Sequence, residues 1–258
     1  MNSAKAEEAQ RVTGVSTAEG GRKRLSATLL IPTLNERGGL EAILPFIDPR
    51  WVEDILFVDG GSTDGTLEVI RRWGHGRLLI QKLPGLVDAY RESLALISSD
   101  MVVTFSPDGN SLPEAIPALV EKVREGYDMV IASRYLPGAG SLDDDPVTAF
   151  GNWMFTRAIN LFFGGRYTDT LVILRAYRTD LIRALEMEAE ARDFEPLLSI
   201  RCASYGKRVA EIPAKEPHRI GGRRKLSILS NGWAIVVLIC REWIQLCRMR
   251  KKGRWRFN

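Results

Sequence analysis

The sequence has few of the residues that build metal centres and disulfide scaffolds. It contains 3 cysteines and 2 histidines in 258 residues. Cys202, Cys240 and Cys247 show no C-x-x-C spacing, which excludes a zinc ribbon or a thioredoxin-type redox motif. So sparse and odd a cysteine count fits a reducing compartment. Long apolar runs are also missing. The most apolar stretch, Trp233 to Cys240, is about half of the ~20 residues that a membrane-crossing helix needs, and Arg241 and Glu242 interrupt it. Residues Met1 to Arg24 have no apolar core of the secretory type and read as a flexible polar tail. General disorder is excluded by 45% apolar against 26% charged residues, which is ample material for one core.

What the chain does have is a lopsided charge. Its net +4 conceals residues 201–258, where 15 basic groups face only 3 acidic ones. One end of the protein therefore faces something anionic: nucleic acid, phosphate groups or an acidic membrane.

From Leu25 onward strand and helix patterns alternate. Strands are expected at Leu25–Ile31, Asp54–Val58, Leu78–Ile80, Met101–Phe105 and Asp128–Ala132. Helices are expected through Leu40 and Leu44, from an Asp64 N-cap through Ile70, over Val87–Ile97 and over Pro113–Val123. Apolar strands between amphipathic helices predict an α/β fold with a mostly parallel central sheet flanked by helices. Ligands of such sheets bind beyond the carboxyl ends of the strands. That rule points to Pro32–Glu36, Asp59–Asp64, Ser106–Asn110 and Ser133–Tyr135. After Pro146 the pattern changes to an aromatic-rich helix over 149–163 and a strand over Leu171–Ala176. A helix over 194–205, a strand over Arg208–Ile212, a basic loop over 215–225 and an apolar, amphipathic C-terminal helix over Ser227–Cys247 follow. The expected division is a tail over 1–24, one domain over 25–226, and a helix with a basic tail over 227–258.

Four loops carry the candidate chemistry. Pro32-Thr33-Leu34-Asn35-Glu36 is a polar turn between strand and helix. Asp59-Gly60-Gly61-Ser62-Thr63-Asp64 sets a carboxylate at a strand end, then glycines that let backbone approach a ligand. Ser106-Pro107-Asp108-Gly109-Asn110 offers one carboxylate and one amide oxygen. Ser133-Arg134-Tyr135 offers a hydroxyl and a guanidinium suited to a two-pronged grip on phosphate. Further on, Arg219, Arg223, Arg224 and Lys225 surround Gly221-Gly222, a hinged basic loop suited to closing over a diphosphate. The run Asp143-Asp144-Asp145 reads as a solvated loop. Each segment also has an ordinary reading as a turn, a helix cap or a structural ion pair.

Taken in order, PTLNE, VDGGSTDGT, FSPDGNSLPE and ASRYLPG resemble a family-two glycosyltransferase of the GT-A fold, over roughly residues 25–230. Within that family the sequence is most similar to the polyprenyl-phosphate sugar synthases of the dolichyl-phosphate mannose or glucose type. The resemblance implies inverting, metal-assisted transfer from a GDP- or UDP-linked sugar to a polyprenyl phosphate. It implies that Pro32, Leu34, Glu36, Asp59 and Gly60 bind the nucleotide. It makes Asp108 and Arg134 catalytic, and gives Asp108 with Asn110 a bound Mg²⁺ or Mn²⁺. Ser133, Arg134, Arg219, Arg223 and Lys225 would hold the acceptor phosphate and the leaving diphosphate. This chain departs from the pattern at Ser106 and Gly60, where relatives carry carboxylates. It departs again at Val172-Ile173-Leu174, where they carry Ser-Gly-Phe. A phosphate acceptor needs no strong base. A saccharide hydroxyl acceptor would, and Asp169 and Glu195 are the candidates.

The C-terminal helix and the interleaved cations and aromatics that follow, including Trp255 and Phe257, suit an anionic membrane surface. The expected location is cytoplasmic, peripheral to the membrane face. The same helix also fits a core or dimer contact, so the sequence admits a homo-oligomer. No nucleic-acid reader motif is present, and no nucleic-acid partner is expected. The competing functions are transfer to a saccharide hydroxyl, nucleotidyl transfer, and nucleotide-sugar binding with weakened activity, which Ser106 favours.

Overall fold

The computed structural model describes residues 24–83, 85–185, 187, 193–220 and 228–251. Among them, strands β1 (Ala27–Thr33), β2 (Asp54–Asp59), β3 (Arg77–Ile80), β4 (Met101–Thr104), β5 (Met129–Ser133), β7 (Arg175–Arg178) and β8 (Val209–Pro213) form one sheet. Its order is β3-β2-β1-β4-β7-β5-β8. All neighbours run parallel except β7, which is antiparallel to both β4 and β5. A separate parallel pair joins β6 (Gly140–Ser141) to β9 (Lys215–Glu216). The central strands β4 and β5 are buried at every residue, as their unbroken apolar runs require.

The helices are α1 (Arg37–Ile43), α2 (Thr66–Trp73), α3 (Leu86–Leu96), α4 (Ala115–Arg124), α5 (Pro146–Phe163), α6 (Thr179–Ala184), α7 (Phe194–Ser204) and α8 (Ile228–Lys251). Helix α3 packs on β1 and β2, α4 packs on β4, β5 and β7, and α5, α7 and α8 pack on one another. Helix α8 docks through Glu242, whose carboxylate takes two bonds from Arg201 of α7, both at 3.1 Å. Its outward side mixes Trp233, Val237 and Ile244 with Arg241 and Arg248, so it is not the plainly polar face of an amphipathic helix.

Three expectations shift. Asp64 lies before the α2 cap, which is Gly65 in a left-handed conformation, and accepts from Thr66 N at 3.0 Å. The strand expected over Leu171–Ala176 begins only at Arg175. Upstream of it, Asp169 accepts from the backbone N–H of Leu171 and Val172, and the Arg175 guanidinium donates to the carbonyls of Thr170 and Val172. Backbone groups satisfied by side chains need no strand partner. The run Asp143–Asp145 is not a solvated loop. Asp145 caps α5, accepting from Thr148 N at 2.8 Å, with Pro146 in the first turn. Its two neighbours enter the site described below. The expected tail, apart from Arg24, lies outside the described residues, as do Arg223, Lys225, Trp255 and Phe257.

Gly39 of α1 allows one close approach. A Cβ there would lie 2.1 Å from the Pro107 carbonyl oxygen and 2.8 Å from the Asp108 Cα. Gly39→Ala should therefore push the 106–110 turn away and destabilise the fold by about 1–3 kcal/mol in denaturant unfolding. Unchanged stability would show that helix and turn are not in backbone contact.

Candidate active site

The carboxyl ends of β1 and β2 lie side by side, with Thr33 opposite Asp59. Their loops are laced together. Asn35, at φ 54°, accepts from Thr63 N and donates its own N–H to Ser62 Oγ, both at 2.8 Å. Arg37 N donates to Asp64 at 3.1 Å. Asp59 is fully buried. One of its oxygens accepts from the backbone of Gly61 and Ser62, and the other from the hydroxyls of Thr33 and Ser62. Through these four bonds Asp59 shapes the Gly60-Gly61 turn. Glu36 is buried too, while Pro32, Leu34 and Gly60 reach the surface at this edge.

Beyond β4 and β5 a cavity of about 260 Å³ opens. Ser106, Asp108, Asn110, Ser111, Arg134 and Arg219 all border it. Asp108 Oδ1 accepts from Ser106 Oγ at 2.8 Å and from Asn110 N at 3.3 Å. Its Oδ2 lies 3.2 Å from the Arg219 guanidinium, which also reaches Asp143 at 3.4 Å. Ile220 N donates to the Asp108 carbonyl at 2.9 Å, so residues 219–220 are fastened to the Asp108 turn.

Arg134 is the centre of a buried ion-pair knot. Its Nε and one terminal nitrogen donate to the two oxygens of Asp169, at 2.7 and 3.1 Å. The other terminal nitrogen meets Glu216 at 3.2 Å and Asp144 at 3.3 Å. Asn152 adds a bond to Asp169 at 3.2 Å. Ser141 Oγ donates to Glu216, and the Tyr135 hydroxyl to Asp144. Burial opposes the Arg134 charge, yet Asp169 beside it, with Glu216 and Asp144, holds it well above the ordinary range. Burial likewise opposes the Asp169 charge, and Arg134 keeps that carboxyl below its usual value. For Glu216 burial prevails and pushes the carboxyl up against the pull of Arg134. Arg134 was expected to grip an acceptor phosphate. In this geometry its fork is already committed, and such a grip would require these pairs to open. Ser133 is buried, and its hydroxyl meets Thr168 Oγ1 at 2.6 Å rather than the cavity.

The residues around Asp108 do not form a divalent-cation cage. Asp108 is the single carboxylate of its turn, one of its oxygens takes hydrogen bonds, and the other faces a guanidinium. Among the described residues no three His, Cys, Asp or Glu side chains come together as a metal set. The two carboxylates proposed for a hydroxyl acceptor are also misplaced. Asp169 lies behind Arg134, and Glu195 is buried in α7, accepting from Tyr90 Oη at 2.8 Å. Asp143, Asp144, Asn152 and Glu216, which border the cavity, went unread as site residues. One signal for Glu216 existed: it is among the three acids in the basic segment 201–258. All three are bound, Glu216 to Arg134, Glu242 to Arg201, and Glu211 to the backbone N–H of Thr168 and Asp169.

Residues 28–185 match the family profile of Glycosyl transferase family 2. The chain belongs to that family. It is 30% identical to a dolichyl-phosphate hexose transferase of Haloferax volcanii, over 83% of this chain and 93% of the relative. It is 31% identical to an undecaprenyl-phosphate mannosyltransferase of Micrococcus luteus, over 80% of this chain and 90% of the relative. Among solved structures it is similar to glucosyl-3-phosphoglycerate synthase of Mycobacterium tuberculosis in complex with Mn²⁺, UDP and glucosyl-3-phosphoglycerate. That similarity has a TM-score of 0.64 at 21% identity, over 85% of this chain and 80% of that one. It establishes the GT-A-like fold. The protein is a nucleotide-sugar-dependent glycosyltransferase.

Because the Arg134–Asp169 pair is buried, Asp169→Asn should cost about 3–5 kcal/mol at neutral pH. The Asp169 carboxyl titrates lower in the folded state than in the unfolded chain. Its contribution is therefore complete above the ordinary carboxylate value of 3.8 and is lost as pH falls below it. Denaturant unfolding of both proteins across acid pH should show their stabilities converging below that value. A constant difference would contradict the pairing.

Proposed function

We propose that this glycosyltransferase moves a sugar, with inversion, from a GDP- or UDP-linked donor to a polyprenyl phosphate. The observation that carries this reading is the mixed lining of the cavity. It combines polar groups, Ser106, Asp108, Asn110, Asn152 and Arg219, with apolar ones, Val147, Phe155, Val172 and Ile235. A phosphate bearing a hydrocarbon chain uses both kinds of group, the polar ones for its head and the apolar ones for its chain. The two curated relatives, each named for transfer to a lipid phosphate, support the same acceptor. At about 260 Å³ the cavity lies under the usual ~300–1,000 Å³ for a whole ligand. The nucleoside then lies outside it, along the edge formed by Pro32, Leu34 and Gly60.

The acceptor phosphate, with a second pKa of about 6, is mostly ionised near neutral pH. No side chain has to remove a proton. A phosphate oxygen attacks the anomeric carbon opposite the diphosphate. The carbon–oxygen bond to the diphosphate breaks, and its electron pair leaves with the nucleoside diphosphate. Arg219, continued in sequence by Arg223 and Lys225, meets the charge that grows there. Arg134 acts indirectly, by fixing where Asp144 and Glu216 stand at the acceptor end. The Mg²⁺ or Mn²⁺ present in structural neighbours supplies charge to a diphosphate when bound. Here Asp108 and Asp143 are paired with Arg219, and Asp144 and Glu216 with Arg134, so in our reading guanidinium groups carry most of that work. The segment 227–258, with its helix and basic tail, suits attachment at the cytoplasmic face of an anionic membrane.

The test is nucleoside diphosphate release from a panel of nucleotide sugars, with and without a short polyprenyl phosphate. Release that requires the lipid phosphate, and falls about a hundredfold in Asp108→Ala, is the expected result. Release driven by a saccharide alone would move the acceptor to a hydroxyl, with Asp144 and Glu216 as the carboxylates at hand. Pyrophosphate release would make the protein a nucleotidyltransferase.

A further inference from the structure

Helices α5 and α8 pack along a seam closed by Trp243 of α8, whose ring lies 5.2 Å from Phe162 and 6.0 Å from Phe163 of α5. Near the cavity the seam is tight enough that a Cβ on Gly232 of α8 would touch Phe155 of α5 at 3.7 Å. Both helices bury one side in the domain. Both also leave large apolar side chains in water: Phe150, Trp153 and Leu161 on α5, and Trp233, Val237 and Ile244 on α8. Each of these six is about half exposed or more, from 49% at Val237 to 78% at Leu161. Single exposed apolar residues mean little, but a band across two packed helices marks a contact surface.

Charge says what kind of surface fits. Helix α5 contains no acidic residue, and α8 contains only Glu242, which is buried against Arg201. The cations of the two helices are Arg157, Arg241, Arg248, Arg250 and Lys251. The Arg157 guanidinium lies 6.0 Å over the Trp153 ring, an apolar body with a charged rim. No helix among the described residues is long and apolar enough to cross a membrane. A face of aromatics and aliphatics that carries five cations along its two helices, against one exposed acid at the α5 cap, Asp145, matches a surface that is apolar inside and anionic outside.

The band is also continuous with the cavity. Val147 lines the cavity and is 64% exposed at the start of the α5 stripe, followed at helical spacing by Phe150, Met154 and Leu161. On α8, Asn231, Gly232 and Ile235 line the cavity, and Trp233 and Val236 lie beside them on the exposed side.

We propose that α5 and α8 together form a face that seats the protein on an anionic bilayer, with the cavity opening between them toward the headgroups. The basic C-terminal segment is then only half of the membrane contact, and α5 is the other half. This rests on the lipid-phosphate reading for its purpose, although not for its test. A lipid-linked acceptor would enter the cavity from the seam with its chain still in the membrane.

The test is co-sedimentation of the full chain with phosphatidylcholine vesicles, with and without phosphatidylglycerol. Two double variants are compared with the wild type, Phe150→Glu with Trp153→Glu on α5, and Trp233→Glu with Ile244→Glu on α8. Wild-type protein should bind the anionic vesicles and bind less as salt is raised. Each double variant should bind at least about tenfold more weakly, since large apolar side chains no longer enter the bilayer. Turnover of a short, water-soluble acceptor phosphate should be retained, which also shows that the variants fold. An α5 variant that binds vesicles like the wild type would overturn the proposal. So would a wild-type dimer that the variants dissolve without any vesicle binding, since the face would then join two copies of the chain. Vesicle binding that needs both helices, with no turnover on any lipid phosphate, would uphold the face and remove the acceptor reading.

Discussion

A single buried guanidinium organises this site. Arg134 follows the last residue of β5, where the sheet ends and the cavity begins, and a charge there needs partners. It takes them from three distant places: Asp144 before α5, Asp169 before β7, and Glu216 in β9. Those segments are walls of the cavity or lead directly into them. The partners are themselves held. Glu211 fixes the backbone of Thr168 and Asp169, Ser141 holds Glu216, and Tyr135 holds Asp144. In such a network each member depends on the others being in place. The position of α5, and through it the apolar wall of the cavity, thus depends on one cation.

The second organising contact lies across the cavity. Arg219 links Asp108 to Asp143 and so joins the turn after β4 to the loop that enters α5. Three motifs that are far apart in sequence meet there. On the other side the loops after β1 and β2 are laced by Asn35, Ser62 and Asp64, which leaves Pro32, Leu34 and Gly60 as the accessible edge. In the proposed reading these parts serve as a donor edge, a charged middle and an apolar exit between α5 and α8. That order follows the parts of the proposed reaction: nucleoside, diphosphate with sugar, and lipid phosphate.

Much of this was legible in the chain. The apolar runs at 27–33, 54–59, 101–104 and 129–133 are strands because both of their faces are covered, and burial of that kind is visible as composition. The motif residues Asp108 and Arg134 fall at strand ends, where α/β sheets place their ligands. Their partners were not legible. Asp143 and Asp144 stand in a run whose composition looks solvated, and what buries them is Arg134 and Arg219, the latter 76 residues away from Asp143. Nor was it legible that Thr33 and Ser62 bond the Asp59 carboxylate. The segment 171–174 is apolar enough for a strand. It is a loop because Asp169 and Arg175 bond its backbone first. Periodicity reports which face of an element is covered. It does not report which charge pairs with which across the fold.

The most direct test of this account is a structure of the protein with a nucleoside diphosphate and a short polyprenyl phosphate bound. The account predicts the acceptor phosphate between the Asp108 turn and Asn152, with its hydrocarbon chain leaving between α5 and α8. It predicts the diphosphate against Arg219 and the nucleoside along Pro32, Leu34 and Gly60. A phosphate bound elsewhere, or a chain leaving over the β3 edge of the sheet, would contradict it.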